Sequence, residues 1–469
     1  MRLRPGAVPS LLFRKSLLKN KGTFYNLGQG WVIMTEAVGK FRNVPVLYVA
    51  SCLVPDASKE FSPGAVAVAD GLVVAAGAPA DVERRIPSGF DRRDLPGLAI
   101  IPGLVNAHTH LSIPRLVDRE DTLASSSLSF MDWILRVIEW KRNAPPGEFR
   151  RNVEASAREA IAGGTTAVGE IAGPDISAYA SLPLRSRVFV EGIGFHPEVA
   201  GTVLSSVEEA LVRIDGFSRA GGSIVPGISP HTLYTCGPGL LRSLAQLGER
   251  RNIPLALHLA ESPAEMTFLA SGEGEVSTLL YPSVGKDVSF FRGLGEPIPA
   301  YLRKPGILRE GLVLVHNVHL SRGEIGELQA SGAKFVLCPR SNAAHRNGSP
   351  DVTHFLEMGI PVALGTDSLG SVATMSMWEE MREAAGLYRG DLSPDKMGRA
   401  FFRAATENGA RALGLSSGKL LPGAPADFAA VDLPGGRTGE GICSRLVDRG
   451  EAKHVRLTVI AGERMHERP

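Results

Sequence analysis

Apolar residues along this chain gather in short blocks divided by amphipathic stretches. Eight blocks, at 100–110, 165–171, 188–195, 224–231, 253–261, 312–317, 334–339 and 360–368, are apolar at mostly consecutive positions and suit strands buried on both faces. Between them, stretches such as 148–162 and 374–388 repeat apolar residues at helical spacing. Doubly buried strands that alternate with helices form a parallel sheet. Eight such units predict an α/β fold, a distorted TIM (β/α)8 barrel over residues 100–415. Barrel enzymes keep their chemistry at the carboxyl ends of the strands. Here histidines close the first, fourth, fifth and sixth blocks, and an aspartate closes the eighth.

The flanks follow another pattern. Residues 44–99 read as short strands and turns, with Asp70-Gly71 marking a hairpin, and 416–469 repeat that pattern at the other end. Neither flank has enough strands to bury a core alone, which predicts one small β-sandwich domain built from both chain ends. Residues 1–43 stand apart. Positions 1–35 carry Arg2, Arg4, Arg14, Lys15, Lys19 and Lys21 with no acid and no apolar core of a secretory signal. They are expected to be a disordered leader or a spurious extension upstream of Met34, in preference to a transit peptide.

A length of 469 residues exceeds the span of one ordinary hydrophobic core, in keeping with a large domain plus a small one. With 44% hydrophobic and 21% charged residues the chain is globular in composition, not disordered. A net charge of +2 without long basic runs beyond the leader argues against nucleic acid as a partner. No apolar stretch reaches the roughly 20 residues of a membrane-spanning helix. Cys52, Cys236, Cys338 and Cys443 are scattered without Cys-x-x-Cys spacing, which suits a reducing cytoplasm.

Candidate chemistry concentrates at the strand ends. His108 and His110 are spaced i, i+2, so in an extended chain both imidazoles project to one side, as metal binding requires. His258 in the fifth block and Asp367 in the eighth complete three imidazoles and one carboxylate. That set leaves a position open for water and predicts one catalytic divalent ion per chain, zinc first and Fe2+ second. His316 ends the sixth block, where it can hold that water, and Glu261, just beyond His258, suits a proton carrier. A lone histidine in an apolar strand is more often a hydrogen-bonded core residue. Four polar groups ending strands of one barrel are a coincidence of another order.

These residues resemble the amidohydrolase superfamily, in particular the deaminase and chlorohydrolase branch that uses a single metal. The resemblance rests on Pro102 to Leu111 with its His-Thr-His, Ser229-Pro230-His231, His258-Leu259-Ala260-Glu261, His316, Ser341-Asn342, Gly365-Thr366-Asp367-Ser368 and Gly423 to Asp427. It implies that His108, His110, His258 and Asp367 bind the metal, that Glu261 and His316 assist the chemistry, and that Asp367 also acts as base. The second to fourth blocks lack the lysine that bridges two ions in binuclear members. Within the branch, Phe130 to Trp133, Val168 to Ile171, Leu337 to Asn342 and Leu364 to Leu369 are most similar to the aminodeoxyfutalosine deaminases of menaquinone biosynthesis.

That similarity implies a purine-nucleoside-like small molecule as partner, carrying a benzoate that a fixed guanidinium would meet; Arg340 is the candidate. His231 and Asn342 are expected at the ribose or base, Trp133 or Phe130 stacked over it, and Glu170, Arg115 and Arg346 as further specificity residues. A homodimer is the assembly common among such barrels. Two departures predict an altered pocket: Ser112-Ile113-Pro114 replaces a glutamate expected soon after the His-Thr-His run, and Ala343-Ala344-His345-Arg346 replaces an aromatic or leucine-rich stretch. Deaminases of adenosine, S-adenosylhomocysteine, guanine or cytosine and triazine chlorohydrolases share the same ligands and stay as alternatives. A barrel kept only as a binding scaffold is the reading from another class, and no ligand is missing to favour it.

Overall fold

The computed structural model describes residues 22–26, 31–35, 44–116, 129–219, 223–435 and 441–469. Each of the eight apolar blocks contains a strand: Leu104–Thr109, Thr165–Ala172, Arg185–Gly192, Ile224–Pro230, Ala256–Leu259, Val313–His316, Lys334–Leu337 and Val362–Leu364. The first four pair in parallel as one sheet and the last four as another. Isolated parallel bridges, Ile228 to Leu255 and Thr109 to Asp367, join the two halves at both seams. The barrel is therefore distorted where its ladders thin to single bridges. Helices seal the outside of the strands; Glu148–Ala162, for example, presents Val153, Ala157, Ala160 and Ile161 as one buried stripe. At the seam between the eighth and first strands, a Cβ on Gly365 would lie 2.7 Å from the His108 carbonyl oxygen, so only glycine permits that approach.

The first block divides between two sheets. Ile100 to Pro102 belong to the strand Asp91–Pro102, which pairs with Phe428–Asp432 from the C-terminal flank, Ile101 opposite Ala429. The barrel begins only after Gly103, where a side chain would overlap Thr166. Pro102-Gly103 mark the handover within the apolar run, so the boundary expected at 99/100 lies at Gly103. Asp91–Pro102 also pairs in parallel with Val46–Asp56, which joins both chain ends in one eight-stranded sheet. That sheet curls over on itself: Leu72 bridges Pro425, and a Cβ on Gly71 would touch the Ala461 carbonyl. Leu53, Val66, Ile100, Phe428 and Val459 fill its interior.

In the leader, Gly22–Asn26 and Trp31–Thr35 form an antiparallel pair. Both stretches are rich in aromatic and β-branched residues, which favour strands. The rest of 1–43 lies outside the described residues. Among the described residues, no helix is long and apolar enough to cross a membrane.

Candidate metal-dependent active site

The carboxyl ends of the first, fifth, sixth and eighth strands bring His108, His110, His258, His316 and Asp367 together. His110 Nε2 lies 3.3 Å from His258 Nε2, and Asp367 Oδ1 lies 3.6 Å from His110 Nε2 and 3.7 Å from His108 Nε2. Two ligands of a tetrahedral zinc ion, each roughly 2.0–2.1 Å from it, stand about 3.4 Å apart. The spacing thus fits a single ion. His108 Nε2 is buried without a hydrogen-bond partner, which is the state of an atom waiting for a ligand rather than of a core histidine. Burial pushes His110 and His258 well below the ordinary imidazole range, so their rings are neutral and offer lone pairs.

Neighbours aim these groups. His258 Nδ1 donates to the His231 carbonyl at 2.9 Å, which turns Nε2 inward. Asp367 Oδ2 accepts from the hydroxyls of Ser341 and Ser371 at 2.7 and 2.8 Å, leaving Oδ1 to the imidazoles. Burial opposes ionisation of Asp367, yet the His108, His110 and His316 rings facing it hold its carboxyl well below the usual carboxylate range. The backbone contributes too. His316 and Asp367 sit at φ of 74° and 63°, a left-handed conformation that costs an L residue about 1–2 kcal/mol. The sharp turn after each strand is what swings these side chains over the barrel mouth.

Glu261 is buried, and that burial, with Asp367 and Glu265 nearby, pushes its carboxyl well above the usual range. It keeps a proton where an exposed glutamate would have lost it. Its Oε1 stands 3.7 Å from His316 Nε2 and accepts from Asn347 Nδ2 at 3.4 Å. His316 Nδ1 donates to Asn342 Oδ1 at 2.9 Å, so Nε2 faces the site bare, and burial pushes this imidazole down to about 4. The turn bearing Glu261 is held from below by Glu265, whose carboxyl oxygens accept the N–H groups of Ala260 and Glu261 at 3.1 and 2.7 Å.

A cavity of about 590 Å³ opens over these groups, large enough for a drug-sized ligand. His231, Phe130 and Trp133 stand on its wall. Other expected contacts lie elsewhere. Arg340 turns to Glu379 at 2.6 Å and Glu380 at 3.4 Å, since two carboxyls of the helix Met377–Leu387 face it, and it does not line the cavity. Asn342 is spent on His316. Glu170 lies wholly buried, accepting from Leu111 N–H and the Tyr179 hydroxyl, each at 2.9 Å. It supports the chain just past His110 and touches no cavity surface. Arg115 is bound to Glu159 and the Ala373 carbonyl, and Arg346 is not on the wall. Sequence reasoning missed Lys141, Glu191, Phe195 and Tyr281, which do line the cavity. A signal for the first existed: Phe130, Ile134, Val137, Ile138 and Lys141 recur at helical spacing along Phe130–Asn143.

Residues 99–465 match the Amidohydrolase family. An aminodeoxyfutalosine deaminase of Deinococcus radiodurans is 32% identical over 369 residues, covering 75% of this chain and 82% of its own. A 5-methylthioadenosine/S-adenosylhomocysteine deaminase of Nitratidesulfovibrio vulgaris is 29% identical over 438 residues, covering 91% and 93%. Among solved structures, an adenosine deaminase from Xanthomonas campestris with bound zinc aligns with a TM-score of 0.72 at 26% identity, over 90% of this chain and 93% of that one. The family match runs across the whole barrel and into the C-terminal strands, so the chain belongs to the amidohydrolase family and is a hydrolase.

Proposed function

We propose that the protein is a metal-dependent hydrolytic deaminase of an adenine-type nucleoside, that its ion is zinc, and that its substrate is aminodeoxyfutalosine, converted to futalosine and ammonia in menaquinone biosynthesis. The observation that carries this reading is that one cavity is lined by both Glu261, beside His316, and Asp367, facing His108 and His110; burial drives the Glu261 carboxyl up, and the facing imidazoles hold the Asp367 carboxyl down against burial. Two carboxyls whose environments drive their pKa values apart supply an acid and a base at the same pH. A divalent ion held by His108, His110, His258 and Asp367 would supply the Lewis acidity that lets water attack at neutral pH.

The chain's own residues do the rest. Asp367 Oδ1 receives the proton that the attacking water gives up. His316 Nε2, kept bare by the bond to Asn342, accepts a hydrogen bond from that water and orients it. Glu261 passes its proton to the ring nitrogen beside the amino-bearing carbon; Asp367 then gives the proton it took to the amino group, which leaves as ammonia, and the hydroxyl proton returns to the Glu261 carboxylate as the carbonyl forms. Phe130 and Trp133 offer flat apolar surface to the base. The Deinococcus radiodurans relative supports the substrate, and the zinc in the Xanthomonas campestris structure supports the ion.

A 5-methylthioadenosine/S-adenosylhomocysteine deaminase is the second reading. The apolar wall formed by Ile193, Phe195, Val199 and Val203 suits a thioether, and the Nitratidesulfovibrio vulgaris relative bears that name. An ammonia-release screen of the zinc-loaded protein separates the two, using aminodeoxyfutalosine, adenosine, 5-methylthioadenosine, S-adenosylhomocysteine, guanine and cytosine. Fastest release from aminodeoxyfutalosine is expected. Activity on guanine or cytosine alone overturns the nucleoside assignment while leaving the acid and base roles in place.

A further inference from the structure

The helix Phe130–Asn143 starts at a capping box formed by Ser129 and Asp132, which fixes its first turn and hence which face it turns to the cavity. That face is apolar from Phe130 through Ile138 and ends at Lys141. Lys141 is half-buried, and among the described residues no carboxylate stands within ion-pair distance of it. The acids on the cavity wall are engaged elsewhere: Glu191 lies 3.8 Å from His231 Nε2, Glu261 3.7 Å from His316 Nε2, and Asp367 faces His108 and His110. Lys141 lines the same cavity as His110 and His231. Arg340, the cation expected to meet a substrate carboxylate, is tied to Glu379 and Glu380.

A cation on a largely apolar wall loses hydration without a compensating partner unless an occupant of the cavity provides one. We propose that Lys141 receives a carboxylate carried on the part of the substrate remote from the reacting ring, so that the cavity selects acidic aminopurine nucleosides over neutral ones. The proposal rests on the deaminase reading and assigns its specificity. One ammonium beside apolar side chains matches a singly charged carboxylate; a phosphate, with twice the charge, calls for more donors than this wall presents.

The test compares the zinc-loaded protein with Lys141→Met and Lys141→Arg on aminodeoxyfutalosine, which is acidic, on S-adenosylhomocysteine, whose carboxylate is balanced by its own ammonium, and on adenosine and 5-methylthioadenosine, which are neutral and carry no carboxylate, with adenosine monophosphate as the phosphate arm. In Lys141→Met the ratio of kcat/KM for acidic over neutral substrates should fall about 10- to 100-fold, the size of one charge-assisted hydrogen bond, chiefly through KM. Lys141→Arg should restore most of it, and raised salt should depress the wild-type ratio. An unchanged ratio overturns the proposal, and a loss confined to adenosine monophosphate overturns the carboxylate. Calorimetric titration of the same compounds reads Lys141 independently of turnover. If nothing is deaminated but acidic ligands bind more tightly to wild type than to Lys141→Met, the deaminase reading fails while the carboxylate contact at Lys141 survives it. If no acidic ligand binds, this one fails too.

Discussion

Glu261 and Asp367 are the same functional group in the same cavity, and their partners drive them in opposite directions. Asp367 faces three imidazoles and accepts two serine hydroxyls; Glu261 has one amide at 3.4 Å and two carboxyls for neighbours. Glu261→Gln keeps the shape and leaves every candidate metal ligand untouched, but has no acidic proton to give. Metal content should hold while kcat falls on the order of 10²- to 10⁴-fold, and a metal-loaded variant with normal turnover would remove Glu261 from the chemistry. Glu265 titrates in its own right. Burial pushes it from 4.5 to about 7. Between those values the unfolded chain has released this proton and the folded chain still holds it. Its effect on stability is therefore absent below 4.5, and stability declines as pH rises to about 7. Glu265→Gln removes the titration, so denaturant unfolding at pH 5 and at pH 7 should show the variant gaining on wild type between them, by about 2 kcal/mol. At this scale the histidines were legible, because a strand end and an i, i+2 spacing declare themselves. Their supports were not: Arg340 meets a carboxyl 40 positions away, and nothing local to Arg340 announces Glu380.

Strands were legible as apolar blocks because both of their faces are covered; Leu104–Thr109 and Thr165–Ala172 are buried at every position. What the pattern could not convey is how closely two strands approach. Gly365 decides this at the seam that sets Asp367 against His108. A methyl there would stand 2.7 to 2.8 Å from the His108 carbonyl oxygen, nitrogen and Cβ, atoms of a strand that cannot step aside without moving its imidazole. Overpacking of this kind costs about 1–3 kcal/mol, and here the retreat also widens the 3.7 Å between His108 Nε2 and Asp367 Oδ1. Gly365→Ala should therefore lower both Tm and bound metal. Gly386→Ala, in a helix with open space around it, serves as the control and should lower neither. A Gly365→Ala protein with full metal content would show that the seam tolerates widening without loss of the ion.

At the scale of the molecule, the small sheet was foreseeable from strand-poor ends that need each other, but not its junction with the barrel. That junction turns on Asp427, whose side chain is 1% exposed. One oxygen accepts from Arg185 Nε at 2.7 Å, at the start of the third barrel strand, and the other accepts the Ala461 N–H at 2.8 Å, in the last turn of the sheet. The Asp427 carbonyl also receives the Gly103 N–H, at the point where the chain passes from sheet to barrel. Removing one partner of a buried pair leaves the other charge without compensation, at a cost of about 3–5 kcal/mol. Asp427→Ala strands Arg185, whose side chain is only 17% exposed, and frees an N–H of the C-terminal turn as well. Its Tm should fall sharply. None of these atoms reaches the cavity wall, so kcat per folded, metal-loaded molecule, measured well below the new Tm, should stay near that of wild type. If bound metal per folded molecule falls along with Tm, the small domain does more than close the barrel's end: it holds the first strand, and with it His108, at the distance the metal site requires.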